Sequence, residues 1–248
     1  MNARFAVLFL ALFTLACPAE ETWVGAMKAV HAKGIAQKGS VSQIGDSITY
    51  TKAFLAGLAW EKPKGNWDTL LGRIDRKAMN ERKGVEHCNY SGWTAADGLS
   101  KIKTILSAEK PEIAVIMYGT NDVNKGVALS EYQKNMAALV DACLDAGCVP
   151  ILSTIPPILS KDAKVAEFNV AIQKLASEKK IPCTDFHAEI IARQPGTGWN
   201  GTLLGKNDVH PSGGKNLDFS EENLKVCGYA LRNFVACKAM QEVIEKCF

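Results

Sequence analysis

Short apolar runs alternate along this chain with longer segments of helical periodicity. The predicted strands are Val41–Gly45, Val85–Tyr90, Ile113–Tyr118, Val149–Thr154 and Ile181–Phe186. The predicted helices cover Tyr50–Trp60, Asp68–Arg76, Ala95–Leu106, Ser130–Ala146 and Lys161–Glu178. Strands that alternate with helices indicate βαβ units, in which neighbouring strands run parallel. We therefore expect a three-layer α/β/α fold, in which helices cover both faces of a five-stranded parallel sheet.

The composition is typical of one globular domain. The chain has 248 residues, of which 47% are hydrophobic and 22% charged, so it can bury a sizeable core. We predict a single domain over residues 20–248. The formal charge is only +3, and Lys and Arg are interspersed with Glu and Asp. This balance argues against nucleic acid or an anionic membrane surface as a partner.

The N-terminus has the pattern of a signal peptide over residues 1–19. Arg4 precedes an apolar run over residues 5–15, and small residues follow, with cleavage expected near residues 16–19. The run is too short to span a bilayer as a stable helix. We expect a secreted or periplasmic protein with no integral membrane span. Thr14-Leu15-Ala16-Cys17 also resembles a bacterial lipobox, so a lipoprotein anchored through Cys17 is the alternative.

The eight cysteines fit an oxidising compartment and leave two interpretations open, disulfides or buried thiols. No pair has Cys-x-x-Cys spacing, and no histidine lies close enough to complete a ligand cluster, so we expect no metal. The spacing of Cys227, Cys237 and Cys247 suggests a helical C-terminal tail. No phosphate-binding glycine motif follows a strand, and the expected chemistry needs no cofactor.

Gly45-Asp46-Ser47 stands at the end of the first predicted strand. A serine at a strand-to-helix turn is a candidate nucleophile, because the turn lifts its side chain from the sheet edge toward free helical N–H groups. Loops after parallel strands converge at the carboxyl edge of the sheet. The loops with Gly92 and Gly119-Thr120-Asn121-Asp122 should therefore lie near Ser47. Asp46 and Asp122 are expected to hold their own loops through backbone hydrogen bonds.

A serine nucleophile needs a base, and His210 is the best candidate. It is the only histidine that combines a nearby carboxylate with a turn-forming proline, in the segment Asn207-Asp208-Val209-His210-Pro211-Ser212. Three other histidines are interpreted as structural: His31, His87 and His187.

Taken together, Gly45-Asp46-Ser47, Gly92, Gly119-Thr120-Asn121-Asp122 and His210-Pro211 resemble the SGNH hydrolases, also called GDSL-type esterases and lipases. The resemblance extends from about Val41 to Pro211. It implies a flavodoxin-like fold and a cofactor-free esterase with Ser47 as nucleophile. It also implies an oxyanion hole formed by the N–H groups of Ser47 and Gly92 and by the side-chain amide of Asn121.

The chain departs from this pattern at the residue that orients the histidine. The family places an aspartate three residues before the histidine, where this chain has Asn207, while Asp208 stands two residues before it. Three alternatives remain open. The local turn brings Asp208 to His210, or the enzyme works as a Ser–His dyad with an amide or backbone acceptor, or the activity is weak.

Trp93 and Trp199 are candidate substrate-binding residues, because aromatic faces stack on sugar rings. They favour an O-acetylated carbohydrate as the ester substrate. A lysophospholipase or thioesterase is the enzymatic alternative. The Asn207 departure also leaves open a non-catalytic carbohydrate-binding protein on a hydrolase fold.

Overall fold

The computed structural model describes residues 19–248. The predicted signal peptide lies outside the described residues except for Ala19, and Cys17 lies outside them altogether. Over the described residues, no helix is long and apolar enough to cross a membrane. Each of the seven cysteines in this range is a free thiol, and all but Cys183 are buried.

Over residues 19–248, the sheet has four parallel strands in the order β1-β2-β3-β4. Their bounds are β1 Gln37–Gly45, β2 Pro111–Met117, β3 Val149–Ser153 and β4 Cys183–Thr184. Every residue of β2 and β3 is buried. Strands covered on both faces read as continuous apolar runs rather than as alternating ones, which is why they could be recognised in the sequence.

Helices cover both faces of the sheet, so the predicted three-layer α/β/α fold is confirmed. They are α1 Ala19–His31, α2 Ser47–Tyr50, α3 Asp68–Arg73, α4 Arg76–Glu81, α5 Ala95–Glu109, α6 Thr120–Lys125, α7 Leu129–Asp145, α8 Asp162–Lys179, α9 Phe186–Arg193, α10 Glu221–Leu224 and α11 Gly228–Cys247. Helices α5, α7 and α8 pack side by side along one face, whereas α11 contacts α1, α3 and α9. The predicted C-terminal helix is α11.

The segment predicted as a second strand, Val85–Tyr90, is not a strand. It forms a 3-10 turn over Val85–His87 and then a single parallel bridge between Asn89 and Gly45. The side chain of Asn89 takes over the backbone pairing of this edge: its Nδ2 donates to the carbonyl of Gln43 at 2.7 Å, and its Oδ1 accepts from the N–H of Gly84 at 2.9 Å. The sheet therefore has four strands rather than five.

The predicted helix Tyr50–Trp60 is also interrupted. Helix α2 ends at Tyr50, and only a 3-10 turn over Ala56–Ala59 follows. Asn233 of α11 holds the intervening chain, since its Oδ1 accepts from the N–H of Leu55 at 3.0 Å and its Nδ2 donates to the carbonyl of Ala53 at 2.9 Å. The predicted helix Asp68–Arg76 likewise ends early, at Arg73, and a separate helix α4 begins at Arg76.

Candidate active site

The serine lies where β1 turns into α2. Asp46 is the N-cap of α2, and its Oδ1 accepts from the N–H of Ile48 at 3.0 Å. Ser47 is thus the first residue of the helix, where the backbone N–H has no intrahelical acceptor. Gly45 allows β1 and β2 to approach at this point, because a Cβ at Gly45 would lie 2.6 Å from the carbonyl oxygen of Met117. The turn presents both the hydroxyl and the N–H of Ser47 at the carboxyl edge of the sheet.

His210 reaches Ser47 across 163 residues of chain. Its Nε2 lies 2.8 Å from Oγ of Ser47, and its Nδ1 lies 2.7 Å from Oδ1 of Asp208. An ionised carboxylate only accepts hydrogen bonds, so the proton of the neutral imidazole belongs on Nδ1. The lone pair of Nε2 then faces the hydroxyl of Ser47, as a general base requires.

The geometry pairs His210 with Asp208 rather than with Asn207. Asn207 adopts a left-handed conformation, with φ of 55°, and its N–H donates to Oδ1 of Asn200 at 2.7 Å. This conformation suits asparagine and turns its side chain toward Asn200. The sequence left three alternatives open. The structure has the first of them, in which the local turn brings Asp208 to His210. Partial burial favours the neutral acid, but the imidazole of His210 and the N–H groups of His210 and Val209 hold the pKa of Asp208 below its ordinary value.

Three donors are expected to form the oxyanion hole, and the structure leaves two of them free. Within the described chain, the N–H groups of Ser47 and Gly92 have no protein acceptor. Gly92 has φ of 78°, and an added Cβ would meet no protein atom within 4 Å, so backbone conformation rather than crowding by the protein explains this glycine. The amide of Asn121 donates to the carbonyl of Trp93 at 2.9 Å, and its contact with Asp46 is long, at 3.4 Å.

Asp46 and Asp122 hold loops through backbone hydrogen bonds, as expected. Asp46 caps α2, and both carboxylate oxygens of Asp122 accept from the N–H of Ala95 at 3.2 Å, at the start of α5. Burial raises the pKa of Asp46 to about 6, although Ile48, Arg232 and His210 oppose it. Burial likewise raises the pKa of Asp122 to about 6. Neither carboxylate contacts His210, so neither belongs to the relay.

Aromatic side chains lie next to Gly92 and Ser47. Trp93 is partly buried, and its ring centroid lies 6.1 Å from that of Tyr90, which in turn lies 5.1 Å from that of Tyr50. Tyr50 is 37% exposed and Tyr90 is 41% exposed. We call Tyr50, Tyr90 and Trp93 the aromatic shelf. Sequence reasoning identified Trp93 but missed both tyrosines. Their only signal was position, since Tyr50 stands three residues after Ser47 and Tyr90 stands two residues before Gly92.

Trp199 does not line an open site. It is only 2% exposed and belongs to the hydrophobic core. Its carbonyl accepts from the N–H groups of Thr202 and Leu204, which fold the loop that precedes His210. The expectation that Trp199 offers a face to a substrate is therefore corrected, because a buried ring has no face to offer.

A buried arginine and a partly buried lysine support the helix that carries Ser47, and sequence reasoning missed both. The guanidinium of Arg232 donates to the carbonyl of Ile48 and, at 2.8 Å, to Oγ1 of Thr49. Nζ of Lys83 donates to the carbonyl of Thr49 at 2.8 Å. Burial lowers the pKa of Arg232 to about 10 and holds the pKa of Lys83 well below its ordinary value, with the charge of Arg232 adding to the latter shift. Cations at the C-terminal end of a helix complement its dipole.

The fold and the site together define a class of protein. A serine, a histidine and an aspartate in one hydrogen-bonded relay, at the carboxyl edge of a parallel sheet, are the arrangement of a serine hydrolase. The model of the GDSL-like lipase/acylhydrolase family matches residues 44–213, which is more than half of the chain. The chain belongs to this family, so the predicted resemblance is confirmed, and the protein is a carboxylic ester hydrolase.

Similar proteins agree with this assignment. Esterase TesA of Pseudomonas aeruginosa is 27% identical over 172 residues, which cover 68% of this chain and 78% of that protein. The crystal structure of a variant of an acetyl esterase with acetate ion is 21% identical, covers 83% of this chain and 97% of its own, and superposes with a TM-score of 0.59. An acetyl-xylooligosaccharide esterase from Geobacillus is 18% identical, with coverages of 83% and 95% and a TM-score of 0.58. These structural similarities show the fold.

Proposed function

We propose that the protein cleaves carboxylic esters through an acyl-enzyme intermediate on Ser47 and that its substrates are O-acetylated carbohydrates. The observation that carries the catalytic part is the continuous relay from Asp208 through His210 to Ser47, with bonds of 2.7 and 2.8 Å. A non-catalytic binding protein would have no physical need for this alignment. The relay therefore favours an enzyme over the binding-protein alternative.

The proposed reaction follows from the positions of these groups. Oγ of Ser47 attacks the ester carbonyl while Nε2 of His210 takes its proton, and the charge of Asp208 stabilises the imidazolium. The oxyanion accepts from the N–H groups of Ser47 and Gly92 and from the amide of Asn121. His210 returns the proton to the leaving alcohol. A water molecule, deprotonated by His210, then releases the acyl group as a carboxylic acid and restores Ser47.

The aromatic shelf supports a carbohydrate as the alcohol. Tyr50, Tyr90 and Trp93 present ring surface beside Gly92, and aromatic faces stack on the apolar faces of sugar rings. The fold accommodates such a substrate in one similar protein, since an acetyl-xylooligosaccharide esterase shares it. We further propose that the protein is exported, on the strength of the signal-peptide pattern, with lipidation at Cys17 as the alternative to a cleaved product.

Hydrolysis of p-nitrophenyl esters tests the catalytic proposal. We expect p-nitrophenyl acetate to be turned over by the protein and Ser47→Ala to fall to the background rate. Equal, background-level rates for both proteins would refute the enzyme and leave a binding protein. Acetate release from O-acetylated xylo-oligosaccharides, compared with hydrolysis of p-nitrophenyl decanoate, tests the substrate. A strong preference for the decanoate would replace the carbohydrate with the lysophospholipase or thioesterase alternative.

A further inference from the structure

A polar cleft lies between the chain that follows α2 and the chain that follows His210. It has a volume of about 520 Å³, and Lys52, Trp60 and residues 214–218 contribute to its walls. Neither wall belongs to the relay or to the aromatic shelf. We call this space the lysine cleft.

The lysine cleft is a built feature of the fold, because one buried side chain ties its two walls together. Nδ2 of Asn233 donates to the carbonyl of Ala53 at 2.9 Å and to that of Asn216 at 3.0 Å. Its Oδ1 accepts from the N–H of Leu55 at 3.0 Å. Asn233 is only 1% exposed and lines the cleft. The walls are therefore held at a fixed separation.

The charge of the lysine cleft is positive. Its lining includes four lysines and two carboxylates: Lys52, Lys62, Lys64, Lys215, Glu61 and Asp218. Lys64 pairs with Asp218 at 3.1 Å, and Lys62 pairs with Asp68 at 2.6 Å. Over the described chain, Lys52 and Lys215 have no carboxylate within 4.0 Å. Two exposed ammonium groups in one cleft are thus available to an anionic ligand.

Trp60 adds an aromatic face to this charge. It closes the 3-10 turn over Ala56–Ala59 and is 66% exposed, the most open of the large hydrophobic side chains in the described residues. An indole face beside amide, carboxylate and ammonium groups matches a sugar ring, whose apolar face stacks while its hydroxyls form hydrogen bonds. A sugar that also carries a carboxylate would use Lys52 and Lys215.

The lysine cleft lies within reach of a chain that is bound at Ser47. Lys52 is five residues after Ser47, and Gly214 is four residues after His210, so the fully extended backbone limits these separations to about 18 and about 14 Å. An oligosaccharide can bridge such distances.

We propose that the lysine cleft binds an acidic sugar residue, so that the enzyme acts on O-acetylated saccharide chains that carry carboxylates. This inference rests on the proposed esterase function. An anionic membrane surface is the competing partner for lysines beside an exposed tryptophan. The concave shape of the cleft, with a volume of about 520 Å³, favours a sugar over a flat membrane surface.

Binding to Ser47→Ala tests the lysine cleft without any need for catalysis. In calorimetry, we expect oligogalacturonate to bind this variant and an uncharged xylo-oligosaccharide of equal length to bind at least tenfold more weakly. Adding Lys52→Gln and Lys215→Gln should weaken oligogalacturonate binding about tenfold. The matched control adds Lys103→Gln and Lys134→Gln, two exposed lysines on α5 and α7, and should leave the affinity unchanged. Equal affinity for both saccharides, or equal losses in both double-lysine variants, would overturn the proposal.

Two further measurements separate this proposal from the esterase proposal and from the membrane alternative. In the active protein, kcat/KM is measured for O-acetylated oligogalacturonide and for O-acetylated xylo-oligosaccharide. The double substitution Lys52→Gln/Lys215→Gln should lower the ratio of the first value to the second about tenfold. An inactive wild-type protein that still binds oligogalacturonate would refute the esterase and its substrate while leaving the binding site in place. Lysine-dependent sedimentation with anionic phospholipid vesicles, without saccharide binding, would assign the cleft to a membrane instead.

Discussion

The substitution Asp208→Asn isolates the charge that the relay places behind His210. Asparagine has nearly the shape of aspartate, so the Asp208 turn and the N–H donors of Val209 and His210 can remain in place. The variant loses the negative charge that lies 2.7 Å from Nδ1 of His210. It also loses the acceptor-only group that fixes the imidazole proton on Nδ1.

The expected loss follows from the distance and the exposure of the pair. Two unit charges 2.7 Å apart attract by about 1.5 kcal/mol in bulk water and by about 6 kcal/mol at an effective dielectric constant of 20. The side chains of His210 and Asp208 are 42% and 50% exposed, so solvent screens them and an intermediate value of about 2–4 kcal/mol applies. This energy corresponds to a fall in kcat of roughly thirtyfold to a thousandfold. The loss is smaller than the roughly ten-thousandfold loss for the buried aspartate of the serine-protease triad.

The assay is steady-state hydrolysis of p-nitrophenyl acetate by folded Asp208→Asn, with Asn207→Ala as the matched control. Asn207 contacts Asn200 rather than His210, so we expect Asn207→Ala to keep kcat within about twofold. Asn207→Asp should likewise bring no gain. The reasoning is refuted if Asn207→Ala loses as much activity as Asp208→Asn, or if Asp208→Asn retains full kcat.

Three further perturbations probe the groups around Ser47. Asn121→Ala should lower kcat about a hundredfold to a thousandfold with a smaller change in KM, because it removes a proposed oxyanion donor, and steady-state kinetics measures this split. Arg232→Met should lower the free energy of unfolding by about 2–3 kcal/mol in urea denaturation, since it leaves the buried carbonyl of Ile48 without its donor. Burial raises the pKa of Asp46 from 3.8 to about 6, so the folded state retains a proton that the unfolded state loses across this window. As the pH rises from about 4 to about 6, Asp46 lowers the free energy of unfolding by about 2 kcal/mol, and Asp46→Asn should remove that share when urea unfolding is compared at the two pH values.

The parts of the fold that the sequence predicted correctly are those that local pattern determines. Strands β2 and β3 are buried on both faces and appear as continuous apolar runs, so their positions were recognisable. The same logic located Ser47 at the end of β1 and a glycine loop near it. The motif order then placed His210 in the same site.

The errors occurred where the hydrogen bonds of single side chains override local pattern. Val85–Tyr90 has the apolar content of a strand, but the amide of Asn89 satisfies the backbone of Gln43 and Gly84 in place of a ladder. The helix after Ser47 stops early, and Asn233, which lies 178 residues beyond Leu55, binds the backbone that follows it. A pattern read over a window of about ten to twenty residues contains no information about such a partner.

The turn that carries His210 shows a further limit of prediction from the sequence. Asn207 stands where the family has aspartate, and spacing alone left open whether Asp208 takes its place. The left-handed conformation of Asn207 and its bond to Asn200 rotate the turn, and Asp208 reaches Nδ1 instead. The backbone of the turn therefore compensates for a one-residue change in spacing. Such compensation depends on the three-dimensional structure and is not visible in the motif.

Two adjacent residues of α11 link the two halves of the substrate site. Arg232 fixes the helix that begins at Ser47, and Asn233 fixes both walls of the lysine cleft. Because they are neighbours on one buried helix, the position of the nucleophile and the position of the cleft are set by the same rigid element. A saccharide held in the cleft would then present its ester to Ser47 at a distance that the fold fixes in advance. Binding energy gained far from the ester could thereby lower the entropic cost of aligning it for attack.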